Sequence, residues 1–298
     1  MSFVLLPNLK ISALASPSAA AAPATGSTLW VKADDLDGSS NTTLAVNQAL
    51  TGVINHGTAF DFEASTNPPT YSQAVLSGSS NYYDIESIFF DGDANNQLQM
   101  ESPGVLSDII QNDTWEVFAA ARSNNFRTPG TEQNIARLIG DGTGFRWGIN
   151  SVNVSGDKWS GNANDGNYTY VRADGLEGVN QIVRYRGEDV AGTVKQYMKV
   201  DDGTEQTTDM PNPIAALTGR PDIGYQAGGG SNAYIGNIYE IIVYDRVLTE
   251  QERSDTYDYL YEKWINVAAL PFPDPDFTSP TNSATASFEY PDWPTGSA

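Results

Sequence analysis

Residues 234–264 read YIGNIYEIIVYDRVLTEQERSDTYDYLYEKW, and this stretch decides the fold. Ile238, Tyr239, Ile241, Ile242, Val243 and Tyr244 follow Gly236 with almost no polar break. A strand apolar on both faces belongs inside a packed sheet rather than at its edge. Thr249 then stands three residues before Glu252. At that spacing a threonine caps the free N–H groups of a helix start while the glutamate reaches back to it. Tyr257, Leu260, Tyr261 and Trp264 fall at i, i+3, i+4 and i+7, which predicts one apolar stripe of that helix laid on the sheet. These residues build scaffold, not chemistry.

Working upstream, short strand patterns recur at 115–122, 136–140, 145–149, 167–173, 181–186 and 193–200, each bounded by Gly, Asn or Asp. Val194, Gln196, Met198 and Val200 alternate with Lys195, Tyr197 and Lys199, a strand with one wet face. Trp30, Trp115, Trp147 and Trp264 lie in strand or helix patterns and are expected in the core. Residues 151–166 and 226–233 read as Gly/Asn/Ser loops. A chain of 298 residues could hold two domains, but β-sandwiches of roughly 200–250 residues commonly form one. The expected organisation is an extended N-terminal anchoring arm (1–28), one domain (29–266) and a Pro-rich C-terminal arm (267–298).

The segment from Gly236 through Arg253, with its Ile238, Glu240, Tyr244-Asp245-Arg246 and Leu248-Thr249, resembles the last strand and trailing helix of laminin-G-like, concanavalin A-type domains. Leu29–Asp34 is similar to that family's opening strand, Phe89-Phe90-Asp91-Gly92 to its Phe-Asp-Gly turn, Trp115–Phe118 to its central strand and Val200–Gly203 to its Val-Asp-Gly hairpin. The resemblance covers about residues 29 to 266. It implies an all-β, two-sheet antiparallel jelly-roll sandwich with one C-terminal helix, here flanked by two extended arms. Leu9–Leu14 (LKISAL), a Pro/Ala/Gly stretch and then Leu29-Trp30-Val31 resemble the opening of bacteriophage tail and other virion structural proteins.

Charge narrows the partners. The formal net charge is −21, with 16 basic residues against 37 acidic ones spread along the chain. Such a surface repels phosphate backbones and anionic lipid, which argues against nucleic acid and against membrane insertion or surface binding. The chain has no cysteine, so it has no disulfide framework, thiolate metal site or cysteine nucleophile. The N-terminal stretch lacks a basic segment, and Pro7, Asn8 and Lys10 interrupt its apolar run, unlike a secretion signal. Both arms are too poor in apolar residues to order alone. Phe3, Leu5, Leu6, Phe272, Phe277, Phe288, Tyr290 and Trp293 are therefore expected as assembly anchors against other virion proteins or copies of the chain.

The sequence offers little for catalysis. Glycan cleavage needs two carboxylates a few ångströms apart, and Asp84-Ile85-Glu86 lacks a third acid to complete the strand-borne pattern. His56 is the one histidine, with no nucleophile elbow beside it. Asp34, Asp35 and Asp37 with Asn41 form an acidic loop of hard oxygen donors that suits calcium, although the spacing is not that of an EF-hand. Turn aspartates are the plainer reading of the same residues. Sugar recognition calls for an exposed aromatic face beside planar polar groups on loops. Trp159, with Asn162, Asn164 and Asp165, fits that description, and Tyr225 and Tyr234 flank a second Gly-rich loop. The leading expectation is a non-enzymatic accessory protein of a phage-like virion, in its head or tail, displaying a jelly roll to a host glycan. The alternative is a secreted or cell-surface carbohydrate-binding module, and a glycan hydrolase comes last.

Overall fold

The computed structural model describes residues 22–75, 84–93, 96–110, 113–124, 136–140, 145–149, 158–163, 169–210, 218–224 and 234–266. In chain order the strands are β1 (Leu29–Lys32), β2 (Gly52–Val53), β3 (Phe62–Ala64), β4 (Thr70–Val75), β5 (Asp84–Asp91), β6 (Leu98–Met100), β7 (Trp115–Ser123) and β8 (Ala136–Gly140). There follow β9 (Phe145–Ile149), β10 (Lys158–Ala163), β11 (Val171–Asp174), β12 (Asn180–Val190), β13 (Thr193–Val200), β14 (Gln206–Met210), β15 (Asp222–Ile223) and β16 (Ile235–Tyr244). They form two antiparallel sheets, one ordered β14-β13-β12-β7-β16-β5-β4 with β1 also on β16, the other β11-β10-β9-β8-β15-β6-β3-β2. This is a two-sheet jelly-roll sandwich.

The quoted stretch behaves as its pattern requires. β16 pairs with β7 on one side. On the other it meets β5 through Ile235–Ile238 and β1 through Glu240–Val243. Every residue from Gly236 to Tyr244 is buried. Helix α1 (Glu250–Leu260) starts at Thr249, whose hydroxyl oxygen accepts from Glu252 N–H at 3.3 Å while the Glu252 carboxylate accepts from Thr249 N–H at 2.8 Å.

The predicted stripe is only partly the face the helix buries. Arg253, Thr256 and Leu260 are buried, whereas Tyr261 is 38 % exposed. A π-helical turn over Tyr261–Ile265 then shifts the phase by widening the last turn, and Trp264 returns to stack on Tyr239 with ring centres 5.7 Å apart.

Two fully buried carboxylates bind the helix to the sheet. Glu116 of β7 accepts from Arg253 Nε at 2.6 Å, from Arg253 Nη2 at 3.2 Å and from Leu248 N–H at 3.0 Å. Glu240 of β16 accepts from Trp30 Nε1 at 2.5 Å, Trp264 Nε1 at 2.7 Å, Lys263 Nζ at 2.8 Å and the Tyr259 hydroxyl at 3.3 Å. Burial of a charge is tolerable when it is paired and its remaining lone pairs are filled, and both groups meet that condition. Burial beside the Glu240 carboxylate pushes the Tyr259 phenol far above its ordinary range.

Trp115, Trp147 and Trp264 are in the core as expected, while Trp30 is half-buried, its indole N–H committed to Glu240. Residues 22–28, assigned from the sequence to the arm, lie on the sandwich. Ala24 N–H donates to Thr256 Oγ1 at 3.1 Å, Tyr244 donates its hydroxyl to Ala24 O at 2.9 Å, and Thr28 Oγ1 donates to Ile109 O at 2.7 Å. No helix among the described residues is long and apolar enough to cross a membrane.

Candidate functional site

The described residues among those singled out for sugar binding, Trp159, Asn162 and Tyr234, do not form an exposed platform. Residues 158–163, read as loop, are strand β10, held between β9 and β11. Trp159 is fully buried and donates its indole N–H to Gln181 Oε1 at 3.1 Å. The register sets Trp159 opposite Ala173 and Gly161 opposite Val171, both buried residues, so alternation turns Trp159 inward. Gly161 has a steric role there, because a Cβ on it would stand 2.5 Å from the Tyr185 ring. Asn162 is fully buried and donates Nδ2 to Thr169 O at 2.7 Å. Tyr234 is also fully buried, edge-on to Phe90 at 6.1 Å, and burial pushes its phenol well up. Trp159, Asn162 and Tyr234 are therefore core residues and not sugar contacts. Asn164, Asp165 and Tyr225 lie outside the described residues, as do the anchors Phe3, Leu5, Leu6, Phe272, Phe277, Phe288, Tyr290 and Trp293.

The candidate calcium ligands are likewise committed elsewhere. Asp34 pairs with Lys263 at 2.9 Å, and Asp35 with Lys32 at 3.3 Å and His56 at 3.6 Å. Asp37 Oδ1 accepts from Ser39 and Asn41 N–H at 2.8 and 3.0 Å, and Oδ2 from the Thr43 hydroxyl at 2.8 Å. Asn41 Oδ1 accepts from Leu36 N–H at 2.7 Å and Nδ2 donates to Ala33 O at 2.5 Å. Neighbouring cations neutralise Asp34 and Asp35, and the loop's own donors fill Asp37 and Asn41. No group of three or more His, Cys, Asp or Glu among the described residues could hold a metal ion. The calcium expectation is corrected on that geometry. His56 belongs to the same brace, its Nε2 2.8 Å from Asp35 O.

That braced loop has a different consequence. With β2 and β3 it encloses a groove of about 400 Å³ lined by residues of 36–54, 61–63 and 101. Leu36, Leu50, Val53 and Phe62, all nearly fully buried, make an apolar floor. Asp37, Asp61, Glu63 and Glu101 supply carboxylates, and Thr43, Gln48 and Thr51 supply hydroxyl and amide groups. Ile54 N–H donates to Leu36 O at 2.9 Å, tying the loop to the edge strand β2. Asp61 accepts from Asn55 N–H at 2.8 Å and Glu63 pairs with Arg220 at 2.6 Å. Glu101 is exposed and takes part in no ion pair among the described residues. Hydrogen bonds from Ser39 and Thr43 hold the Asp37 carboxyl well below the usual carboxylate range. That is the wrong direction for a general acid. Phe60, one residue before Asp61, leaves its ring 41 % exposed.

Small-molecule sites are concavities of roughly 300–1,000 Å³, and this groove has that volume, with an accessible lining more polar than apolar. It was missed in the sequence because its walls come from separate segments. The available signal was Asp61-Phe62-Glu63, in which Phe62 goes to the core between two acids that line the groove.

No protein-family model and no curated protein matches the chain. Among solved structures, domain 4 of AbnA, a GH43 extracellular arabinanase from Geobacillus stearothermophilus in complex with arabinotriose, aligns over 78 % of this chain and 98 % of that one, at 14 % identity and a TM-score of 0.45. The Trypanosoma rangeli sialidase in complex with 2,3-difluorosialic acid aligns over 80 % of this chain and 34 % of its own, at 11 % identity and a TM-score of 0.48. The CBM40 of Ruminococcus gnavus IT-sialidase, bound to α2,3-sialyllactose, aligns over 56 % of this chain and 92 % of its own, at 15 % identity and a TM-score of 0.40. At these values no residue role passes from them to this chain.

Proposed function

We propose that this chain is a non-catalytic carbohydrate-binding module that takes a glycan in the groove between residues 36–54 and β3. One observation carries the reading: a concave site of about 400 Å³ with an apolar floor of Leu36, Leu50, Val53 and Phe62 and a rim of carboxylate, hydroxyl and amide groups. A sugar ring has an apolar face and a periphery of hydroxyl donors, and it is bound by that pairing of surfaces. Binding rather than cleavage follows from the state of the acids. Asp61 and Glu63 already serve the scaffold, and Asp37 is held ionised.

The particle role expected from the chain's two ends draws on residues outside the described ones, and the described residues favour the adhesion reading instead. The test is titration of the full chain with a panel of oligosaccharides by calorimetry. Saturable binding is expected, and Thr51→Trp, which puts an indole into the groove that Thr51 lines, should abolish it. Thr51 is exposed, so the fold should be unchanged. The absence of saturable binding to every glycan, or binding indifferent to Thr51→Trp, overturns the proposal.

A further inference from the structure

We infer that the Lys263 ammonium and the Asp34 carboxylate condense within the folded chain to a side-chain amide, with Glu240 carrying the protons. Lys263 Nζ stands 2.9 Å from Asp34 Oδ2, 3.0 Å from Asp34 Oδ1 and 2.8 Å from Glu240 Oε2. With both Asp34 oxygens in reach, Nζ faces Cγ inside the roughly 3–3.5 Å of a near-attack arrangement. Among the described residues Lys263 is the one lysine that meets two carboxylates, and the second of them, Glu240, is fully buried. A plain ion pair does not need that arrangement. Glu240 also receives Trp30 Nε1, Trp264 Nε1 and the Tyr259 hydroxyl, three neutral donors that still hold it once the lysine charge is gone. The π-helical turn over Tyr261–Ile265 produces the convergence, since it lets the adjacent Lys263 and Trp264 both reach Glu240 Oε2.

The atoms balance without a co-reactant. Glu240 Oε2 takes a proton from the ammonium, and the freed Nζ lone pair attacks Asp34 Cγ. A Nζ–Cγ bond forms and a Cγ–Oδ bond breaks. Of the ammonium's three protons one stays on the amide nitrogen, and two leave with the departing oxygen as water, relayed by Glu240. Amide formation from separate ions in dilute solution is uphill, but a positioned intramolecular pair gains an effective molarity of about 10⁵–10⁸ M. Condensation also replaces two charges by a neutral group among aromatic rings, where charge is costlier than a neutral amide. Nζ lies 4.7 Å from the Trp264 ring centre and 5.3 Å from that of Tyr259. The Asp34 side chain is 38 % exposed, which leaves the water a way out. In a chain without cysteine the bond is a covalent clamp, fastening the turn after β1 to the end of the C-terminal helix and holding β1 on β16.

The experiment weighs the purified full chain, denatured, by intact-mass spectrometry and maps its tryptic peptides. Most of the chain should be lighter than its sequence by one water, with a cross-linked peptide joining residues 34 and 263 and no cleavage after Lys263. Lys263→Arg, which keeps a cation for Asp34 and Glu240, and Asp34→Ala, at a partly exposed turn, should both have the full sequence mass and stay folded by circular dichroism. Glu240→Gln should form the bond at least about a hundredfold more slowly, the loss expected when a positioned proton carrier is removed. A parent at its full sequence mass overturns the inference. So does a one-water loss that persists in Lys263→Arg or Asp34→Ala, which would place the dehydration elsewhere. Bond formation as fast in Glu240→Gln as in the parent overturns the role given to Glu240.

Discussion

Replacing Arg253 by methionine isolates what the buried Glu116 carboxylate requires. Glu116 is fully buried in β7, and Arg253 reaches it with two nitrogens, at 2.6 and 3.2 Å. Without the guanidinium the carboxylate keeps Leu248 N–H at 3.0 Å and the more distant Arg184 Nε at 3.8 Å. Breaking a buried ion pair from one side costs about 3–5 kcal/mol, because a charge is left without its partner. Arg184 compensates in part, which sets the expectation near the lower end, about 3 kcal/mol. A domain of this size shifts by about 2–4 °C in Tm per kcal/mol, so the loss should be roughly 6–12 °C. Urea titration and thermal melting followed by circular dichroism would measure it. Adding Glu116→Gln to Arg253→Met removes the stranded charge and should recover half or more of the loss. A single variant that melts within about 2 °C of the parent, or a double variant no better than the single, refutes the claim that the charge pair holds the helix to the sheet.

Three further outcomes are expected. The Arg246 guanidinium, together with the Thr249 donors, lowers the Glu252 carboxyl from 4.5 to about 2. A folded-state value below the unfolded one contributes stability that is present above about pH 4.5 and lost as pH falls towards about 2. The stability difference between the parent and Glu252→Gln should therefore close across that window, read by urea midpoints at stepped pH; a constant difference would contradict it. Thr249→Ala should cost about 1 kcal/mol through the lost cap, with a smaller urea midpoint and unchanged slope. Trp30→Phe removes one hydrogen bond to a buried carboxylate and should cost about 2 kcal/mol; an unchanged midpoint would show that Glu240 does not need that indole.

The strand and helix of 234–264 were legible because each rests on local spacing. An unbroken apolar run fits only a strand covered on both faces, and the Thr249–Glu252 reciprocity needs nothing beyond four consecutive residues. The exposed Tyr261 was not legible, since a π-helical turn shifts the phase only when Trp264 has Tyr239 to pack on. Trp159 misled for a related reason. Lys158, Ser160, Gly161 and Asn162 have weak strand preference, and their strand exists because β9 and β11 supply hydrogen bonds on both edges. The acidic run at 34–41 displayed its oxygens in the sequence, and the partners of Asp37 and Asn41 are local, but the Lys263 that pairs with Asp34 and the His56 beside Asp35 come from other segments.

What the sequence determined by itself was therefore the central strand, the capped helix and the acidic net charge, properties carried by neighbouring residues or by bulk composition, while the sandwich class was what the resemblance to laminin-G-like domains implied. Tertiary structure alone decided which aromatic rings meet solvent and where a ligand could sit. The groove joins residues 36–54, 61–63 and 101, and no periodicity within one segment records which distant segment will become its opposite wall.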